Sequence, residues 1–215
     1  MREVDTVICA TGANVEVEPP FSIVGRDGVD LREAWAPGGL YGWPYSYLGV
    51  GTPGFPNLFF LGGHHASGPS GTVPSAAELY VTYLAKMLRK MASQGIRTMA
   101  PLRQAADNFV VYADAWFPRT YLTDTCSAWT NGGQPGARIH ALWPGSAAHE
   151  RYVRFDLRWE DFEYTYVSES GNRFAWLGKG WTVKEQNPAT DLTWYLRRPA
   201  DVDLRRWYEN WYDLW

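Results

Sequence analysis

The chain has 215 residues, 46% hydrophobic and 20% charged, a composition that suits one large or two small folded domains and excludes a disordered or fibrous chain. A net charge of −3 gives no electrostatic footprint for nucleic acid, and no apolar run approaches the ~18–20 residues that span a bilayer. Two cysteines, Cys9 and Cys126, are too few for a disulfide framework and stand at no metal-ligand spacing, which points to a reducing, cytoplasmic setting.

In chain order, Val4 to Ala10 comes first, an apolar β-rich run with no signal-peptide pattern, ending at Thr11-Gly12. Consecutive Val7, Ile8 and Cys9 predict a strand buried on both faces, as in a parallel α/β sheet. Cys9 is then inert packing. The next 45 residues are punctuated by Pro and Gly, with short extended pieces only at Val15–Val17 and Phe21–Val24. Leu58 to Leu61 predicts a second buried strand, ending in Gly62-Gly63. The polar loop HHASGPSGT follows, then a helix opened by Pro74, Ser75 and Glu78. Its apolar face is Leu79, Tyr80, Tyr83, Leu84, Met87, Leu88 and Met91, and Gly95 stops it. Strand, glycine loop and helix form an arrangement that lets a ligand approach backbone N–H groups.

A second helix is predicted over Gln104–Phe117, with Phe109, Val110, Tyr112, Ala113 and Trp116 buried. Ile139–Trp143 reads as a strand. Phe162–Val167 reads as a half-buried strand that pairs with Asn172–Leu177 across the Ser170-Gly171 turn. The tail Asp203–Trp215 reads as an aromatic-rich helix. The 12 Trp and 13 Tyr suit loops held by aromatic plugs.

Several of these segments together resemble one family. Asp5-Thr6-Val7-Ile8-Cys9-Ala10-Thr11-Gly12 resembles the strand ending in Ala-Thr-Gly of flavin-containing and Baeyer–Villiger monooxygenases. Pro56-Asn57-Leu58-Phe59-Phe60-Leu61-Gly62-Gly63 resembles their Pro-Asn-hydrophobic-Gly strand beside the flavin. Cys126-Ser127-Ala128-Trp129, Ala141-Leu142-Trp143-Pro144-Gly145-Ser146, the run Arg158 to Tyr164 and Gly171-Asn172-Arg173-Phe174 are similar to a fungal subgroup. The ordered set covers nearly the whole chain.

The resemblance implies an α/β fold: the C-terminal part of a flavoprotein with two dinucleotide-binding domains, its sheet incomplete at the N-terminus. Residues 1–12 would be the last strand of the NADPH domain and its link. Residues 13–100 would be the second half of the FAD domain, and 101–215 a C-terminal extension with a mobile loop. Neither Gly-x-Gly-x-x-Gly nucleotide fingerprint is read in the chain, and the family's catalytic arginine belongs upstream of the Ala-Thr-Gly strand. No catalytic residue and no metal is therefore assigned here. The family uses FAD and NADPH to put one oxygen atom of O₂ into a ketone or onto a heteroatom, and a chain without the fingerprints is expected to be inactive alone. Two alternatives stand: a half-enzyme needing a separate N-terminal partner, and a non-catalytic binding or scaffold protein derived from a truncated monooxygenase.

Carried over by position, Thr11 and Gly12 form the hinge between domains. Gly62 and Gly63 let the backbone approach the flavin ring, and Thr72 and Val73 lie near its pyrimidine edge. Trp129 matches a loop tryptophan that folds over the nicotinamide; a core plug is the competing role. Relatives carry Gly-Pro where this chain has Gly63-His64. With no acidic partner in view, His64 and His65 read as surface loop histidines. Arg119, Arg138 and Arg173 are candidate partners for phosphate or carboxylate.

Overall fold

The computed structural model describes residues 5–10, 19–66, 73–125, 128–181, 186–189, 191 and 193. Thr11, Gly12, Thr72, Cys126, the Val15–Val17 piece and the tail helix predicted over 203–215 lie outside them.

Helix α1 (Leu31–Trp35) starts where Asp30 caps it, accepting from the backbone N–H groups of Arg32 and Glu33. Helix α2 (Val73–Ser93) buries Tyr80, Tyr83 and Met87, spaced three and four residues apart, while Leu88 of the expected face is exposed. Gly95, at φ +58°, turns the chain out of α2 directly into strand β1 (Ile96–Pro101). Helix α3 (Arg103–Trp116) buries Ala106, Phe109 and Ala113. Helix α4 (Ala147–Phe155) is capped by Ser146, whose hydroxyl accepts from the His149 N–H. Strand β2 (Phe162–Tyr166) pairs antiparallel with β1, from Ile96 opposite Tyr166 to Pro101 opposite Phe162, with an irregularity between Ile96 and Thr98. The Thr98 and Thr165 hydroxyls bond across the pair at 2.6 Å.

The sheet expected here differs from the one observed. Among the described residues there is one sheet, of two antiparallel strands, and no parallel strand. Residues 5–10 are irregular, with Val7 74% and Ile8 87% exposed and Cys9 exposed as well. An apolar run becomes a strand only where another backbone is present to satisfy its N–H and C=O groups. Leu58–Leu61 is likewise irregular: its Phe60 N–H reaches the Val50 carbonyl at 2.8 Å, but no ladder forms and Leu61 is exposed. Ile139–Trp143 is buried without being a strand, because its backbone bonds go to loops at Thr130 and His65. Residues 172–177 do not pair with β2; they form a turn and the 3-10 helix Ala175–Leu177. Tyr112 is exposed and Trp116 only half-buried.

The Gly-x-Gly-x-x-Gly spacing does occur once, at Gly49-Val50-Gly51-Thr52-Pro53-Gly54, correcting the reading that the chain lacks it. It does not form a strand–loop–helix. Tyr47 and Gly51 bridge across a tight turn, and a Cβ on Gly49 would lie 2.4 Å from the His64 carbonyl oxygen. The spacing here serves close packing of backbone on backbone.

One core runs through these elements. Trp35, Val50, Phe55, Tyr83, Met87, Met99, Phe109, Trp143 and Phe162 lie in it. A smaller cluster of Ala113, Phe117, Ile139 and Leu142 sits beside it.

Candidate functional site

Asn57 is the hinge of the Pro-Asn-Leu segment. At φ +62°, its backbone N–H donates to the Met99 carbonyl at 2.9 Å. Its side chain accepts from the Met99 N–H at 3.0 Å and donates to the Arg97 carbonyl at 3.1 Å. One asparagine thus satisfies the edge of β1 that β2 leaves open, which a strand would otherwise have to do. This fixes where the next residues, Leu58 to Gly63, leave the core.

Beyond Asn57 the chain divides into an outward rim and an inward turn. Leu61 is 64% exposed. Gly62 has φ +88°, and a Cβ there would meet nothing within 4 Å. Val73, the first residue of α2, is 79% exposed. Apolar surface, bare backbone and a helix N-terminus suit a flat ring with a polar edge. They do not form a cradle for phosphates, and the tight Gly49–Gly54 turn has no room for one. The described residues of the rim fit the ring portion of a flavin better than its pyrophosphate.

The inward turn overturns the surface reading of His64 and His65. Both are buried, at 2% and 0% exposure. Trp35 and Phe60 meet the His64 ring edge-on at 4.5 and 5.0 Å, and Phe109 meets His65 at 5.1 Å. None of their four ring nitrogens has a hydrogen-bond partner among the described residues. Burial drives the His65 pKa down to about 3, reinforced by His140, Arg154 and Arg138, with the Ile139 backbone opposing weakly. The His64 pKa is also well below the usual histidine value, through burial and then the neighbouring His65 and His140. Both rings are neutral at pH 7, so they act as aromatic packing.

Arg154, missed at the sequence level, lies under this turn with 1% exposure. It pairs with Glu150 one helical turn back and donates to the Leu48 and His65 carbonyls. Its guanidinium stacks 4.1 Å from the Tyr80 ring and 4.8 Å from Trp143. The Tyr80 hydroxyl donates to the Ala66 carbonyl at 2.6 Å. Burial raises the Tyr80 pKa, so it stays a donor. The one available signal was a Glu and an Arg four apart on a short amphipathic stretch after Ser146.

Trp129 begins a 3-10 turn, Trp129–Asn131, and is 53% exposed. The turn is anchored from behind. Thr130 and Asn131 are buried, the Thr130 carbonyl accepts from His140 and Ala141, and the Asn131 side chain accepts from the Ala128 N–H. Beside it a cleft of about 320 Å³ is lined by Phe117, Leu122, Asp124, Asn131 and Arg138. Arg138, exposed like Arg119 and Arg173, pairs with Asp114 at 2.9 Å and stacks 4.3 Å over Trp43.

Comparison with known proteins decides among families. The chain is 37% identical over 209 residues to FAD-binding monooxygenase moxY of Dothistroma septosporum, covering 97% of this chain and 32% of the relative. It is 33% identical over 218 residues to FAD-binding monooxygenase stcW of Emericella nidulans, covering 95% of this chain and 35% of the relative. Over nearly its whole length the chain is homologous to FAD-binding monooxygenases. The homology takes in about a third of those relatives' length. No protein-family profile matches this monooxygenase segment.

Among solved structures, a closed form of cyclohexanone monooxygenase superimposes with TM-score 0.57 at 24% identity, over 67% of this chain and 27% of that one. OTEMO in complex with FAD and NADP superimposes with TM-score 0.53 at 25% identity, covering 66% of this chain and 27% of that one. The helices and small antiparallel sheet match the C-terminal portion of such flavoproteins. No helix among the described residues is long and apolar enough to cross a membrane.

Proposed function

We propose that this segment forms the flavin-ring wall and the closing loop of an FAD- and NADPH-dependent monooxygenase of the Baeyer–Villiger type. The observation that carries this reading is the open Leu61–Gly62 rim, with the start of α2 exposed as well, in a chain aligned over 97% of its length with an FAD-binding monooxygenase. When bound, the flavin would supply oxygen transfer from O₂ to a ketone or a heteroatom, with NADPH as reductant.

The chain's own residues would bind, orient and exclude water. Gly62 and Gly63 present backbone without side chains to the ring face. Thr72 and Val73 stand at the ring's polar edge, where the positive end of α2 favours negative charge. Thr11 and Gly12 would link the two nucleotide-binding domains. Trp129 would close over the nicotinamide and shield the reacting centre, and its half-exposed indole on an anchored turn supports that role over a core plug. Residues 1–12, 13–100 and 101–215 would then be the domain link, the FAD-domain half and the extension.

A half-enzyme is the second reading, favoured by the exposed apolar residues Val7, Ile8, Leu61 and Val73 and by the one-third coverage of the relatives. The phosphate-binding parts would come from a nucleotide-binding portion outside this chain. One experiment tests both. Purified alone, the chain is expected to lose FAD on gel filtration. Co-expressed with the nucleotide-binding portion of moxY, it is expected to co-purify with bound flavin, seen as blue absorption. Roughly one FAD per chain retained without that portion would sink the ring-wall-only reading. No flavin in either preparation would favour a non-catalytic scaffold.

A further inference from the structure

Between residues 48 and 65, three non-glycine residues hold positive φ: Leu48 at +49°, Asn57 at +62° and His65 at +48°. An L residue keeps this costly conformation only where its surroundings hold it there. Asn57 is held by its own side-chain bonds to β1. Leu48 sits in the Tyr47–Val50 turn, closed by the Val50 N–H on the Tyr47 carbonyl at 2.9 Å, and His65 donates its own N–H to the His140 carbonyl at 2.7 Å; neither bond joins Leu48 to His65. Leu48 and His65 are the two residues whose carbonyls accept from one nitrogen of Arg154, 106 and 89 positions further along the chain. The turns are in contact, since a Cβ on Gly49 would strike the His64 carbonyl. A buried Arg–Glu pair contributes little net stability, because desolvation offsets its attraction, whereas selecting one backbone arrangement is a use such pairs can serve.

We propose that Arg154 is the positioning residue for the Gly62–Ala66 turn. It clamps the Leu48 and His65 turns together and so sets where the Gly62–Gly63 backbone meets the flavin ring. Glu150 accepts from the other terminal nitrogen of the guanidinium, and the Tyr80 hydroxyl donates to the next carbonyl, Ala66. The part concerning the ring rests on the function proposed above.

Hydrogen exchange on the full chain tests the clamp without any cofactor. Glu150→Gln with Arg154→Met removes both charges, so no bare carboxylate stays buried. The amides of His65, bonded to the His140 carbonyl, and of Val50, bonded to the Tyr47 carbonyl, are expected to exchange roughly tenfold faster or more. Those of β1, β2 and α3 should keep their protection. Tyr80→Phe deletes a single hydroxyl and should loosen the His65 amide alone, by a few-fold. Unchanged protection at both turns would overturn the proposal. So would equal loss throughout the molecule, which would make Arg154 a staple of the fold. A separate measurement reads the ring: the blue absorption band of FAD in the co-expressed complex, with and without the double substitution. Turns that loosen while the flavin band keeps its shape would leave the clamp standing and retire the ring-wall reading.

Discussion

The junction under α4 and the outward rim invert each other. In the junction, Arg154, Glu150, His64 and His65 are almost wholly buried, while Leu61 and Val73 of the rim, and Val7 and Ile8 of residues 5–10, are 64–87% exposed. Hydropathy would place each set the other way round. The difference is one of partners. Arg154 finds a carboxylate, two carbonyls and two aromatic faces, and the histidine rings find aromatic edges on several sides. Residues 5–10 find no backbone to pair with among the described residues, so their apolar side chains stay in water.

The largest expected effect breaks the interior. Arg154→Met alone strands the Glu150 carboxylate in the core and should cost about 3–5 kcal/mol by urea unfolding. Adding Glu150→Gln should recover a good part of that loss. A single substitution that costs under about 1 kcal/mol would mean that the pair is solvated and the contrast with the rim false.

Acid attacks the same region more gradually. The His64 and His65 pKa values are lowered in the folded state, so the unfolded chain takes up protons that the folded chain refuses. Their contribution is intact above about pH 6.5 and falls as the pH drops below it, continuing for His65 toward about 3. Each histidine should remove about 1.4 kcal/mol per pH unit in that window. Thermal melting between pH 7 and 5 measures this, and His65→Phe should flatten the slope. A melting temperature independent of pH over that range would place the rings in water.

Asn57→Ala should cost about 1–3 kcal/mol, because it leaves the Met99 N–H and the Arg97 carbonyl without their partner at the β1 edge. Asn57→Asp, which keeps the acceptor, should cost less. Chemical unfolding of the two variants side by side separates these losses, and equal stability would remove Asn57 from its edge-capping role.

These residues also mark how much was legible in the sequence. Helices α2 and α3 announce themselves through periodicity, and Tyr80, Tyr83, Met87, Phe109 and Ala113 are buried as their spacing requires. Helix α1 was readable in principle, since Asp30 and Glu33 stand at the cap and third positions, but the surrounding Pro and Gly concealed a five-residue helix. Strand β1 was not legible: Ile-Arg-Thr-Met-Ala-Pro lacks alternation, and its partner β2 lies some 65 residues on. The outward rim was not legible: Leu58–Leu61 reads as a buried strand, yet it forms no ladder and Leu61 is exposed. Nor was the clamp, because it needs Arg154, Leu48 and His65 to meet in space, and no local pattern encodes a side chain that serves two distant carbonyls.

A smaller effect belongs to the cap of α4. Ser146→Ala removes the acceptor for the His149 N–H and should cost about 1 kcal/mol. Because α4 carries both Glu150 and Arg154, exchange at the His65 amide should rise slightly in the same variant. Loss of stability with no change at His65 would separate the helix end from the clamp.

Trp129 carries the smallest expected effect on stability and the sharpest test of the rim. A buried tryptophan truncated to alanine costs about 3–5 kcal/mol. Trp129 is 53% exposed, and its turn is secured by Thr130 and Asn131 rather than by the indole. Trp129→Ala should therefore change stability by no more than about 0.5 kcal/mol, as surface substitutions do. In the complex with a nucleotide-binding portion, the same variant should bind NADP more weakly and consume NADPH with less oxygenated product per turnover, while FAD content stays unchanged. A drop of several degrees in melting temperature with coupling unaltered would return Trp129 to the core and make its loop part of the interior. Weaker coupling at constant stability would make the loop part of the rim, where a side chain is kept for what it closes over and not for what it packs against.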